Sequence, residues 1–128
     1  MSEPPVGLFE IDVSSAEGGV KLVALRGELD FDDAPRLGRV LDELRAEGER
    51  RVIVDLSELT FIDSSGISAL VAAARAATAE RQAFVVAAPM PNVQRVFDIV
   101  SLSELVAVEP GVDGAFERVG RGREQTAG

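Results

Sequence analysis

The ten residues FIDSSGISAL, numbered 61–70, bring together side chains that can carry chemistry. Asp63 directly precedes two serines, Ser64 and Ser65, and Gly66 follows them. A carboxylate beside a hydroxyl has three common uses: it can belong to a helix cap, activate a serine nucleophile, or mark a serine that another enzyme modifies. Each use makes different demands on the rest of the chain.

As a helix cap, Ser64 or Ser65 would accept a hydrogen bond from one of the unpaired N–H groups that open a helix. Apolar residues at helical spacing begin at Ile67 and predict a helix that ends near Ala79. Most serines that precede such a stripe only cap it, so this interpretation requires no further function.

A serine nucleophile is disfavoured by the residues that are missing. The segment 66–70, GISAL, lacks the closing glycine of the G-x-S-x-G turn of serine hydrolases. The chain has no histidine or cysteine and a single lysine, Lys21, so an imidazole base and thiolate or imidazole metal ligands are excluded. We therefore expect neither enzymatic activity nor a bound cofactor or metal.

The composition also narrows the range of partners. A net charge of −9 repels phosphate backbones, and the absence of Trp and Tyr removes the usual platform for stacking bases, so we expect no nucleic acid partner. No apolar run approaches the ~20 residues of a membrane span, and no secretory signal is visible at the start. We expect a cytoplasmic protein that does not bind membranes.

The pattern of apolar residues and turn signals predicts one α/β domain, in which helices pack against a mixed β-sheet in the order ββαβαβαβα. We expect the domain to span residues 8–119, between a flexible leader at 1–7 and a flexible polar tail at 120–128. The predicted strands cover 8–13, 20–26, 51–56, 83–87 and 105–108. The first predicted helix starts near 32 or 33 and stops at 48, the second follows 63–66 and ends near 79, and the last two cover 93–100 and 111–119.

The first helix should begin at Asp32 or Asp33, either of which can cap it. For Phe31 two positions are open: it could be exposed in a docking face next to Asp30, or fold back onto this helix as a hydrophobic staple, and the staple is the one expected.

As a modified residue, a serine at the start of a helix is accessible to a kinase. A phosphate there should gain from the helix dipole and from free N–H groups, so the fold should survive it. Because roughly two negative charges would replace a neutral hydroxyl, the surface would change more than the fold. A serine in this position can therefore act as a binary switch.

The segment VIVDLSELTFIDSSGISALV resembles the signature of STAS domains, specifically that of stand-alone bacterial anti-sigma-factor antagonists. GELD, at residues 27–30, is similar to the motif that follows their second strand. VFDI, at residues 96–99, and the following Leu102 are similar to their C-terminal half. The resemblance covers residues 8–118 and implies the STAS fold.

It also implies a function. Such proteins bind an anti-sigma factor that is a serine kinase of the GHKL type, which frees the sigma factor. The kinase inactivates them by phosphorylating the serine after the conserved aspartate, and a serine phosphatase reverses this. Carried onto this chain, the acceptor is Ser64, which Asp63 precedes, while Ser65 and Gly66 shape the turn and Asp30 helps to form the docking surface. ATP and magnesium would belong to the kinase.

Two alternatives keep the fold without the switch. The chain could be a scaffold or an accessory subunit of a signalling or transporter complex, in which case Ser64 would be only a cap. It could also sense a small molecule, although Gly18 and Gly19 lie in a predicted hairpin turn and not before a helix, as a phosphate-binding loop would.

Overall fold

The computed structural model describes the backbone of residues 8–127 and the side chains of residues 8–120, so the expected leader at 1–7 lies outside the described residues. Within them the predicted α/β architecture and element order are confirmed. The strands are β1 (Phe9–Ala16), β2 (Val20–Leu29), β3 (Arg51–Ile62), β4 (Ala83–Ala87) and β5 (Ala107–Glu109). The helices are α1 (Ala34–Ala46), α2 (Ser64–Ala79), α3 (Pro91–Ile99) and α4 (Val112–Ala127).

The five strands form one mixed sheet in the order β1-β2-β3-β4-β5. β1 and β2 are an antiparallel hairpin, and every later neighbour pairs in parallel. The hairpin turns at Gly18 and Gly19, whose φ angles of 74° and 73° lie in the left-handed region that glycine adopts without strain. Because parallel neighbours need a crossover, α1, α2 and α3 each connect one strand to the next.

Helices cover both faces of the sheet. The larger core packs α1, α2 and α3 against one face, and the smaller core packs α4 against the other. β3 contributes to both: Val52 and Val54 are buried in the larger core, while Ile53 is buried in the smaller one. This strand is therefore buried on both faces.

β3 is longer than its apolar run predicts. It continues beyond Leu56 to Ile62 because it pairs with β2 along its whole length, ending with Leu29 opposite Ile62. β2 likewise continues past Arg26 to Leu29. The long pair carries the backbone to the point where Asp63 and the serines begin.

The last helix is also longer than expected. α4 continues past Val119, where the predicted helix ends, to Ala127. The domain boundary expected at residue 119 stays a prediction. Arg, Glu and Gln have favourable helix propensities, and each glycine in a helix costs only about 1 kcal/mol relative to alanine. A polar, glycine-containing segment can therefore extend an established helix.

Gly27, the first residue of the GELD motif, is required by the backbone geometry. Its φ of +94° is one that residues with a side chain rarely adopt, and a Cβ at this position would overlap the carbonyl oxygen of Leu8. That oxygen accepts a 3.1 Å hydrogen bond from the N–H of Glu28. The close approach ties the start of β1 to the end of β2.

Replacing Gly27 with alanine should lower the free energy of unfolding by about 1–3 kcal/mol through the backbone conformation, with a further cost from the overlap with Leu8. Gly38→Ala is the matched control, because Gly38 lies in α1 and has nothing within 4 Å of an added Cβ. It should be neutral or stabilise by about 0.5–1 kcal/mol. Urea denaturation measures both variants, and equal stabilities would contradict this account of the motif.

Candidate functional site

The candidate site lies where two parallel strands end side by side. β2 ends at Leu29 and β3 ends at Ile62, and these two residues are direct neighbours in the sheet. The chain leaves β2 through Asp30 into the loop before α1, and it leaves β3 through Asp63 into α2. The fold therefore brings the GELD and FIDSSG motifs together at the carboxyl edge of the sheet.

Asp63 is the cap of α2. Its backbone is extended, and its Oδ1 accepts hydrogen bonds from the N–H groups of Ser65 at 2.9 Å and Gly66 at 3.1 Å. These groups would otherwise have no partner inside the helix. The expectation that Ser64 or Ser65 supplies the cap is thus wrong: the preceding carboxylate occupies that position.

Ser64 is left free by this arrangement. It is the first residue of α2, its side chain is exposed, and its hydroxyl has no hydrogen-bond partner among the described residues. Ser65, by contrast, is half-buried and donates its N–H to Asp63. Of the two serines, Ser64 presents the more accessible hydroxyl.

Asp63 also joins the two loops. Its Oδ2 accepts a 3.1 Å hydrogen bond from the N–H of Phe31, and its own N–H donates to the carbonyl oxygen of Leu29 at 3.2 Å. One carboxylate therefore holds the start of α2 with one oxygen and the loop after β2 with the other. This second contact is long-range and could not be found from local patterns.

Asp30 organises the loop on its own side of the site. Its Oδ1 accepts from the N–H of Asp32 at 3.0 Å and of Asp33 at 3.4 Å, and its carbonyl oxygen accepts from Ala34 at 2.9 Å. Asp33 stands at the N-cap position, as predicted, but its side chain makes no capping bond and lies 3.6 Å from the guanidinium of Arg36 instead. The side-chain cap expected from Asp32 or Asp33 is not formed: Asp30 Oδ1 binds N–H groups of the turn before α1, and only its backbone carbonyl oxygen accepts from the first residue of the helix.

Phe31 does not form the expected staple. Its side chain is 74% exposed, and its N–H is held by Asp63 in the turn that Asp30 organises. Phe61, near the end of β3, is 45% exposed. Sequence analysis did not select Phe61; the only available signal was an aromatic residue directly before the buried Ile62 in a strand, where neighbours alternate between faces.

Gly66 packs tightly beneath the site. It is buried, and an added Cβ would lie 2.7 Å from Cγ1 of Ile62 and 2.8 Å from Cγ of Leu29. The first turn of α2 can therefore rest on the ends of both strands only if this residue has no side chain. The sequence predicts four switch-loop residues besides Ser64. Each takes part in the hydrogen bonds or packing at the ends of β2 and β3: Asp30, Asp63, Ser65 and Gly66.

Among the side chains of residues 8–120, no group of three or more acidic residues could hold a metal ion. No helix of the described backbone is long and apolar enough to span a membrane. Two N–H groups of the first turn are already bonded to Asp63, so a phosphate on Ser64 would lie beside a carboxylate instead of on those two groups. This revises the expectation that free N–H groups receive it.

A family model described as the STAS domain matches residues 13–115. The chain belongs to the STAS domain family. A curated relative of this STAS domain, the anti-sigma-B factor antagonist of Staphylococcus epidermidis, is 31% identical over 91 residues, which cover 71% of this chain and 84% of that protein.

Solved structures share the fold over most of their length. An anti-sigma factor antagonist from Mycobacterium paratuberculosis has a TM-score of 0.75 at 28% identity and covers 93% of this chain and 98% of its own. Unphosphorylated SpoIIAA has a TM-score of 0.72 at 22% identity, covering 86% and 96%. A sulfate transporter family protein from Wolinella succinogenes has a TM-score of 0.73 at 19% identity, covering 87% and 93%. At these last identities the likeness concerns the fold alone.

Substituting the capping carboxylate should separate the roles of Asp63 and Ser64. Asp63→Ala removes the cap of α2 and the acceptor for Phe31, and it should lower the free energy of unfolding by about 1–2 kcal/mol. Ser64→Ala removes an exposed hydroxyl without a partner and should stay within about 0.5 kcal/mol of the parent. Urea denaturation distinguishes the two. An equal loss of stability in Ser64→Ala would mean that the serine takes part in the cap.

Proposed function

We propose that this STAS domain is an anti-sigma factor antagonist that binds an anti-sigma factor of the GHKL serine-kinase type and releases the sigma factor. Phosphorylation of Ser64 by that kinase switches it off, and a serine phosphatase restores it. The observation that carries the proposal is the exposed hydroxyl of Ser64 at the start of α2, left without a bonding role because Asp63 caps the helix.

The similarity to proteins of this class supports the proposal. The relative from Staphylococcus epidermidis is named an anti-sigma-B factor antagonist, and the structure from Mycobacterium paratuberculosis is that of an anti-sigma factor antagonist. Both likenesses extend over most of this chain.

Phosphorylation would act on the surface through charge. The phosphate would add roughly two negative charges beside Asp63 and close to Asp30, on a chain whose net charge is already −9. A partner surface that covers Ser64 would have to remove water from the dianion, which costs binding free energy wherever no basic group meets the phosphate. Since the cap of α2 is a different residue, the switch would not need to unfold the helix that carries it.

Each of the other site residues has a proposed part in docking. Asp63 and Asp30 hold the two loops in place, Ser65 donates to the cap, and Gly66 lets α2 begin directly on the strand ends. The kinase would supply ATP and magnesium, since this chain offers Ser64 only as the acceptor.

The second candidate is a STAS scaffold or accessory subunit that does not switch. The Wolinella structure, from the sulfate transporter family, shows that the same fold also occurs in that setting. This candidate differs from the first in one measurable respect: Ser64 would not be modified.

Phosphosite mapping by mass spectrometry tests the proposal. The protein is incubated with ATP, Mg²⁺ and each GHKL-type kinase encoded in the same genome, beside the Ser64→Ala variant. We expect one phosphate on Ser64 and none on the variant, because Ser65 is half-buried and its N–H is bonded to Asp63. No modification by any of these kinases, or modification elsewhere, would favour the scaffold.

Charge substitution tests the consequence of the switch. Ser64→Asp places a negative charge at the start of α2 and should weaken binding to the kinase about tenfold or more, whereas Ser64→Ala should bind like the parent. Isothermal titration calorimetry measures both affinities. If Ser64→Asp bound the kinase as tightly as the parent, the charge mechanism would be wrong.

A further inference from the structure

Two exposed phenylalanines lie at the ends of the two strands that lead into the candidate site. Phe31 follows β2 and is 74% exposed, and Phe61 lies near the end of β3 and is 45% exposed. The strand position opposite Phe61 is Glu28, three residues before Phe31 along the chain, so both rings belong to the same corner of the sheet. Because most of its ring is exposed, Phe31 contributes little to the hydrophobic core.

The backbone at both positions is held firmly. The N–H of Phe31 is bonded to Asp63, and the N–H of the next residue, Asp32, is bonded to Asp30. Phe61 lies within the paired region of β2 and β3. A backbone that is ordered before binding reduces the conformational entropy that association would otherwise cost. Aromatic side chains are typical of the residues that dominate binding energy in protein interfaces.

The charges around the rings identify the kind of partner. The segments 28–33 and 58–63 contain six carboxylates and no basic residue. Two of the six are close to arginines: Asp33 lies 3.6 Å from Arg36, and Glu58 lies 3.5 Å from Arg26. Among the described residues the remaining four, Glu28, Asp30, Asp32 and Asp63, have no ion pair.

A second copy of this chain fits such a surface poorly, because the same acidic rim would face itself. A protein surface with basic side chains around an apolar recess is complementary in both respects. The edge defined by Phe31, Phe61 and the surrounding carboxylates is called the Phe31–Phe61 edge below.

We propose that the Phe31–Phe61 edge is the anchor by which the anti-sigma factor kinase recognises this protein: the two rings enter an apolar recess whose rim carries Arg or Lys. This inference rests on the function proposed above and adds the residues that supply the affinity. Phosphorylation of Ser64 would then place a dianion beside the apolar recess, where it would lose water without gaining a basic partner.

The test measures the affinity of Phe31→Ala and Phe61→Ala for the kinase that phosphorylates Ser64, with ADP in place of ATP so that no phosphate is transferred. Ile99→Ala is the matched control: Ile99 is 77% exposed, but it ends α3, which starts next to Thr60 and runs for nine residues away from that edge. Urea denaturation checks that each exposed substitution leaves the fold intact.

We expect Phe31→Ala to weaken binding about tenfold or more and Phe61→Ala to weaken it less, in line with their exposure, with Ile99→Ala equal to the parent. Phe31→Leu should retain much of the affinity, since it keeps an apolar side chain. Binding of the parent should weaken as the salt concentration rises, as the charge complementarity requires.

The proposal is overturned if Phe31→Ala and Phe61→Ala bind within about twofold of a parent that does bind, or if Ile99→Ala loses as much affinity as they do. In those cases the proposed function still stands. If the parent binds no GHKL-type kinase from the genome, the proposed function fails and this inference fails with it.

Discussion

The hydrogen bonds of Asp63 are the constraint on which the site depends. One carboxylate oxygen caps α2 through Ser65 and Gly66, the other holds the N–H of Phe31, and the backbone N–H is bonded to Leu29. Two loops from adjacent strands are thereby fixed to each other by a single residue. Because this aspartate performs the capping that a serine could have performed, the hydroxyl of Ser64 is exposed and available for a different role.

Because Asp63 caps the helix and Ser64 does not, a change at Ser64 can alter binding without removing the cap. A switch residue that also capped its helix would lose the cap on modification, and the modified protein would lose stability together with binding. Here the residue proposed for modification, Ser64, and the residue that caps the helix, Asp63, are consecutive but distinct. The proposed phosphate would change the charge of an already acidic edge, whereas the strand ends and Gly66 beneath it would keep their packing.

Much of the fold could be predicted because it follows from local signals. Apolar runs, glycine turns and helical periodicity predict the order of strands and helices, and the FIDSSG motif marks the site. Two features could not be predicted in this way. β3 extends to Ile62 only because β2 pairs with it, and the N–H of Phe31 is held by Asp63, 32 residues away in the chain. Both are tertiary contacts without a local sequence pattern.

The measurement that tests the central claim most directly compares phosphorylated with unphosphorylated protein in two respects at once. Affinity for the kinase is measured by calorimetry in the presence of ADP, and the free energy of unfolding is measured by urea denaturation on the same samples. The account predicts that phosphorylation lowers the affinity about tenfold or more while changing the stability by less than about 1 kcal/mol, because Asp63 continues to cap α2. Unchanged affinity, or a loss of binding accompanied by a large loss of stability, would contradict it.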